Sequence, residues 1–128
     1  MEFYLDGEVP SKKNSRIITK SRKLIPSSTF TRWHSDALLM LRAQASGIKP
    51  CSSPIKVAVE FHHADKVRRD SDNQLSSVLD LLQDAGIIEN DCWQIVMEIS
   101  VANFMAKDKK PCCKICINDY NMRGTKND

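Results

Sequence analysis

The stretch from Ile55 to Gly86 changes its period part-way along, and no other part of the chain restricts the fold so tightly. In IKVAVEFHH, Ile55, Val57, Val59 and Phe61 alternate with Lys56, Glu60 and His62. Successive side chains of an extended strand point to opposite faces, so this segment reads as a half-buried strand. Shortly afterwards Leu75, Val78, Leu79 and Leu82 recur at i, i+3, i+4 and i+7, which is one face of a helix. That helix is expected from about Asn73 to Ala85, with Gly86 as its C-terminal stop. Alternation then returns in QIVMEISVA and CCKICIN, which read as two further strands.

The flanks fit around this centre. EFYLDGEV reads as a first strand, and SRIITKSRKLI as a hairpin or arm turning near Lys20 and Ser21. Pro26, Ser27, Ser28 and Thr29 offer helix-start chemistry before FTRWHSDALLMLRAQA, where Phe30, Trp33, Ala37, Leu38 and Leu41 form one stripe. Gly47, Pro50 and Pro54 mark the loop beyond. There are no internal repeats and no regular strand–helix alternation, so the expected class is α+β. The expected architecture is a single domain, with a mixed β-sheet and two main helices packed on one face. Its bounds are 1–119, followed by a polar tail at 120–128.

A chain of 128 residues with 41% hydrophobic content can bury a core without staples. It contains no apolar run near the roughly 20 residues that span a bilayer. MEFYLDGEVP has neither the basic nor the apolar region of a secretory signal, so the expected compartment is the cytoplasm and no membrane partner is expected. The five cysteines are then expected to be free thiols. Cys113 and Cys116 have C-x-x-C spacing, with Cys112 alongside. Residues three apart on a strand face opposite ways, which is poor geometry for a shared zinc.

Charge is segregated more than the net +3 conveys. Lys12, Lys13, Arg16, Lys20, Arg22 and Lys23 fall between Pro10 and Ile25 with no acidic residue among them. Asp70, Asp72, Asp80, Asp84, Glu89 and Asp91 follow one another with no basic residue among them. Such a chain can set a phosphate-attracting surface beside a cation-attracting one. Within RRDSDNQL, a carboxylate at Asp72 could simply cap the coming helix. A helix cap does not explain Asp70, because two carboxylates at i and i+2 repel unless a cation lies between them. An EF-hand would need Gly and Glu where this chain has Leu75 and Leu81. Oxygen ligands alone favour Mg²⁺ or Mn²⁺, which can activate water against a phosphodiester. Asp91 can join the pair only if the strand after it comes to lie beside the strand that holds Phe61.

RRDSDNQLSSVLDLLQDAGIIENDCWQI resembles the signature of the RusA-type Holliday-junction resolvases, small homodimeric endonucleases. The matching parts are Arg68, Arg69, Asp70, Ser71, Asp72 and Asn73 at the helix start, Ala85 and Gly86 at its end, and Asn90 and Asp91 before a strand. VPSKKNSR also resembles the family's segment after the first strand. The resemblance implies a Mg²⁺-binding catalytic triad of Asp70, Asp72 and Asp91, with no small-molecule cofactor. It implies a hydrolase, a homodimer that nicks four-way DNA junctions in symmetric pairs during recombination and repair. DNA contacts are then expected from Lys12, Lys13, Asn14, Arg16, Lys20, Arg22, Lys23, Arg68 and Arg69. The family's lysine four residues after the second aspartate is Ser76 here, and Lys12 or Lys13 is expected to supply the missing cation. The alternative is a catalytically weak or inactive junction-binding protein of the same fold. His34, His62 and His63 are expected to be surface or packing residues rather than ligands.

Overall fold

The structure, a computed structural model, describes residues 1–11, 16–18, 24–26 and 28–121, with backbone alone for the two three-residue segments. The elements are β1 (Glu2–Asp6), β2 (Arg16–Ile18), β3 (Leu24–Pro26), α1 (Ser28–Gln44), β4 (Ile55–His63), α2 (Ser71–Asp84), β5 (Val96–Met105) and β6 (Cys112–Asp119). Four strands form one mixed sheet in the order β1-β6-β4-β5. β6 runs antiparallel to both β1 and β4, while β4 and β5 run parallel. β2 and β3 pair antiparallel, with Ile18 opposite Leu24, so the expected hairpin is present, and its turn lies outside the described residues.

The alternation in the sequence becomes two unlike faces. Phe3, Leu5, Val57, Val59, Phe61, Cys113 and Ile115 are 4% exposed or less and share one face. Against it pack Ala37 and Leu41 of α1 and Val78, Leu81 and Leu82 of α2, all fully buried, in one continuous core. Both helices therefore lie on one face, and the class is α+β. Each buried leucine contributes roughly 1.5–3 kcal/mol by leaving water. β6 places Cys113 in this core and Cys116 on the opposite face, which separates the C-x-x-C pair.

Two features of the sheet differ from the simplest reading. α2 starts at Ser71, two residues earlier than its apolar periodicity indicates, because its first turn is polar on every side. β5 does lie beside β4, but parallel to it, so Ile55 pairs with Val96 and His63 with Met105. A parallel pair needs a crossover, and α2 is that crossover, carrying the chain back along the sheet. At the start of the expected tail, Tyr120 donates its N–H to the Pro54 carbonyl at 3.0 Å, and the residues beyond Asn121 lie outside the described residues.

The two sheet edges are treated differently. At β1, the Gln44 side chain from the end of α1 accepts from the Tyr4 N–H at 2.8 Å and donates to the Tyr4 carbonyl at 2.7 Å. One side-chain amide thus occupies the strand-pairing groups at the centre of that edge. β5, ten residues long, is the opposite edge, and Ile99, Phe104 and Met105 are exposed along it. No described helix is long and apolar enough to cross a membrane.

Candidate active site

The candidate centre is the loop between β4 and α2 together with the first turn of that helix. Asp70 is the N-cap residue of α2. Its carbonyl accepts from the Asn73 and Gln74 N–H groups at 3.1 and 3.2 Å, and its side chain makes no capping hydrogen bond. This reverses the helix-start reading, in which Asp72 was the cap. Asp72 lies inside the first turn, exposed, where the N-terminal end of the helix favours negative charge. Both carboxylates are therefore free of the helix backbone. The Asp70 side chain is 48% exposed, and its charged neighbour is Arg68, whose Nε is 3.8 Å away.

The loop that carries these aspartates is held by a polar network. Asp65 accepts from the Val67 N–H at 3.1 Å and from Arg69 Nη2 at 2.9 Å. Those two donors hold the Asp65 carboxyl below its ordinary range. Arg69 also donates to the Val67 carbonyl at 3.2 Å, and its Nε lies 3.6 Å from Glu8 Oε1. Arg69 is thus a tie within the loop, whereas Arg68 is 92% exposed and available to an anionic partner. Glu8 Oε2 meets His63 Nδ1 at 2.9 Å and accepts from Gln74 Nε2 at 2.8 Å. His63 Nε2 reaches Asn103 Oδ1 at 2.8 Å, and Asn103 donates to Ser71 Oγ at 3.1 Å. The ends of β1, β4 and β5 are in this way joined to the first residues of α2.

A second set of contacts leads toward the basic segment. Gln74 Nε2 also donates to the Val9 carbonyl at 2.6 Å, and Ser77 Oγ donates to the Pro10 carbonyl at 2.7 Å. Gln74 and Ser77 are both buried, 2% and 0% exposed, so the chain at Val9 and Pro10 is fastened to the second turn of α2. Lys12, Lys13, Asn14, Lys20, Arg22 and Lys23 lie outside the described residues, as does the Arg16 side chain on β2. Ser11, the last described residue before Lys12, shares a cavity with Glu8, Pro10, Arg68, Asp70 and Gln74.

Asp91 does not join this pair within the chain. It follows α2, its N–H donating to Gln83 Oε1 at 3.0 Å near the other end of the helix. Fourteen helical residues at 1.5 Å each put about 21 Å between the two ends. Among the described residues no three His, Cys, Asp or Glu side chains are grouped closely enough to share a metal. The parallel sense of β5 is the reason. Antiparallel pairing would have started β5 beside His63, next to Asp70; parallel pairing starts it beside Ile55.

Asp70 and Asp72 suit a hard cation, being oxygen donors, exposed and free of the backbone, and Mg²⁺ typically takes only one or two carboxylates from a protein. Ser76 follows Asp72 by four residues, on the same side of α2, and is exposed with too short a side chain to reach a phosphate. Each histidine has a carboxylate partner, and only that of His62, two residues away on the same strand face, stands in its sequence neighbourhood. His34 meets Asp84 at 2.9 Å, His62 meets Glu60 at 3.1 Å, and His63 meets Glu8. Glu8, Gln74 and Ser77 are the residues that sequence reasoning missed. A polar Gln and Ser on the apolar stripe side of α2 were the available signal.

A small α+β chain with free paired carboxylates at a helix start, and a basic run elsewhere in its sequence, has the makings of a phosphodiesterase acting on nucleic acid. The chain belongs to the endodeoxyribonuclease RusA family, whose family model matches residues 6–118. It is 29% identical over 110 residues to the crossover junction endodeoxyribonuclease RusA of Aquifex aeolicus (strain VF5), covering 86% of this chain and 85% of that protein.

Proposed function

We propose that this chain is a Mg²⁺-dependent endonuclease that resolves four-way DNA junctions by paired symmetric nicks, in recombination and repair, and acts as a homodimer in the cytoplasm. The observation that carries the reading is the pair of free carboxylates at the start of α2 in a chain of this family. Asp70 and Asp72 would hold the metal, which when bound supplies charge stabilisation at the phosphate and an activated water. Arg68, exposed and 3.8 Å from Asp70, would draw a phosphate toward it. Lys12 or Lys13, arriving from the Pro10 anchor on Ser77, would stand in for the cation that Ser76 cannot supply. The remaining residues of the arm, Asn14, Arg16, Lys20, Arg22 and Lys23, would follow the DNA backbone, and binding would weaken steeply with salt.

The homodimer supplies what one chain lacks. β5 is an unpaired edge, and two β5 strands joined antiparallel about a two-fold axis near Ser100 would set Val96 of one beside Met105 of the other. Asp91, just before β5, would then approach the partner's Asp70 and Asp72. Each of the two sites would draw carboxylates from both chains, and the two cuts would be related by the axis that relates the junction's own arms.

The test is a synthetic four-way junction incubated with the protein in Mg²⁺ or in EDTA, alongside Asp70→Asn. Metal-dependent symmetric nicks, lost in the variant, are the expected result. Junction binding with no nicks under any metal condition would instead support the inactive-binder reading, to which Ser76 lends its one argument.

A further inference from the structure

The face of the sheet turned away from the helices carries a feature that the nuclease reading does not use. Tyr4 and Phe104, on the two edge strands, are 45% and 46% exposed. Between them, on the same face, lie Cys112 of β6 and His62 of β4, which are paired in register. The His62 ring stacks on Phe104 with centroids 5.0 Å apart and planes 20° from parallel. One concavity contains Tyr4, His62 and Phe104 together with Lys107, Lys110 and Lys114.

The lining of this concavity carries three lysines and no carboxylate. Carboxylates stand around it rather than in it: Glu2 and Asp6 flank Tyr4 on β1, Glu60 shares a neighbouring hollow with Tyr4 and Lys114, and Asp108 lies in the turn after β5. Asp6 accepts the Tyr4 hydroxyl, and that bond pushes the phenol up to about 12, so the ring stays neutral. Glu60 is taken by His62 at 3.1 Å. Among the described residues, Lys107, Lys110 and Lys114 are in no ion pair. The turn after β5 fixes two of them: Asp108 and Lys109 both take left-handed backbone, φ 56° and 55°, and Lys110 N–H closes the turn on the Lys107 carbonyl at 3.2 Å. Single exposed aromatics are ordinary on protein surfaces. Two of them in one concavity with three unpaired lysines are not.

The concavity is also continuous with the candidate active site. A second hollow, bounded by Lys66, Arg68, Ser71 and Asn103, shares Phe104 and Met105 with it. A strand of nucleic acid leaving Asp70 past Arg68 therefore meets Phe104 next. We propose that this open face takes unpaired DNA, with bases stacked on Phe104 and Tyr4 and phosphates on Lys107, Lys110 and Lys114. Rings that stand in a concavity suit splayed bases, because any base has a flat face to stack, whereas a paired duplex hides its bases. The proposal rests on the DNA-binding part of the functional reading and on none of its chemistry.

The experiment uses full-length Asp70→Asn protein, which removes cutting, and a fluorescein-labelled oligodeoxythymidine of about ten nucleotides, followed by anisotropy. Phe104→Ala is expected to weaken binding roughly ten-fold, as the loss of one stacked base does. Replacing Lys107 and Lys110 by Gln should lower the slope of log affinity against log salt by about 1.4, or 0.7 for each phosphate contact on a single strand. In the wild-type chain, a 5-iododeoxyuridine oligonucleotide should photocrosslink to the peptides that hold Tyr4 or Phe104. Unchanged affinity and slope in both variants, or crosslinks confined to other peptides, would overturn the proposal. So would a change of mass in sedimentation without a change in oligonucleotide affinity, which would mean that a second copy covers the face. Junction cleavage with no oligonucleotide binding sinks this face alone; oligonucleotide binding by a wild-type chain that never cuts sinks the nuclease reading alone.

Discussion

If Asp91 serves the partner's site, two inactive variants should rescue one another. Within a chain the ends of α2 are about 21 Å apart, set by 14 residues at 1.5 Å. Two oxygens on one Mg²⁺, each about 2.1 Å from it, can be no more than about 4.2 Å apart. The length of α2 alone is thus about five times what a shared ion allows. Asp70→Asn and Asp91→Asn are each expected to abolish nicking. When the two proteins are unfolded together, refolded and mixed one to one, about half of the dimers are mixed, by random two-fold pairing. In a mixed dimer one site carries both substitutions, and the other pairs an intact Asp70 and Asp72 with an intact Asp91. About a quarter of the wild-type sites are therefore restored. Because each rescued dimer has a single live site, the product is a junction nicked on one strand, not a resolved pair of duplexes. A denaturing gel of junctions labelled strand by strand reads both quantities. No nicking from the mixture, with mixed dimers verified by mass, would refute the composite site and return Asp91 to its own chain or to no catalytic role.

Three further outcomes test the framework. Ser77→Ala removes the hydroxyl that fastens Pro10 to α2 and should cost about 1 kcal/mol in denaturant unfolding, whereas Ser76→Ala, on the exposed side of the same helix, should leave stability unchanged. Lys109→Gly relieves a left-handed residue and should stabilise the fold by about 0.5–1 kcal/mol, read as a higher denaturant midpoint; a loss of stability would contradict the turn geometry. Burial pushes the Cys113 thiol from 9.0 up to about 12, so the folded chain keeps a proton that the unfolded chain releases. Its contribution is complete below pH 9.0 and drains away as pH rises toward 12. Stability should fall over that window and fall less in Cys113→Val, and Cys113 should resist alkylation at pH 8 until the chain unfolds.

How far the structure could be read in advance varied with the range of the forces involved. The strand at Ile55–His63 and the stripe of α2 were legible because burial on one face writes a period into the sequence. The start of α2 was misplaced because Ser71 and Asp72 carry no apolar residue to mark the period, while the cap itself is made by backbone geometry at Asp70. The paired carboxylates were visible as a local oddity, two charges too close for comfort. The position of Asp91 was not, since it depends on the direction in which β5 lies along β4, and side-chain alternation is the same for either direction. The Glu8–His63 contact joins residues 55 apart in sequence, and nothing near either one foretells the other.

The glutamine that clasps Tyr4 bears on how many molecules could take part in one assembly. A sheet grows wherever a strand offers free amides and carbonyls, and a protein with two such borders can propagate without limit. Here one border is stoppered at its centre by Gln44 and the other, β5, is open. Copies joined along β5 would present only stoppered borders outward, and growth would end at two. Gln44→Ala should therefore show itself less in melting temperature than in solubility, as a second border opens to further copies.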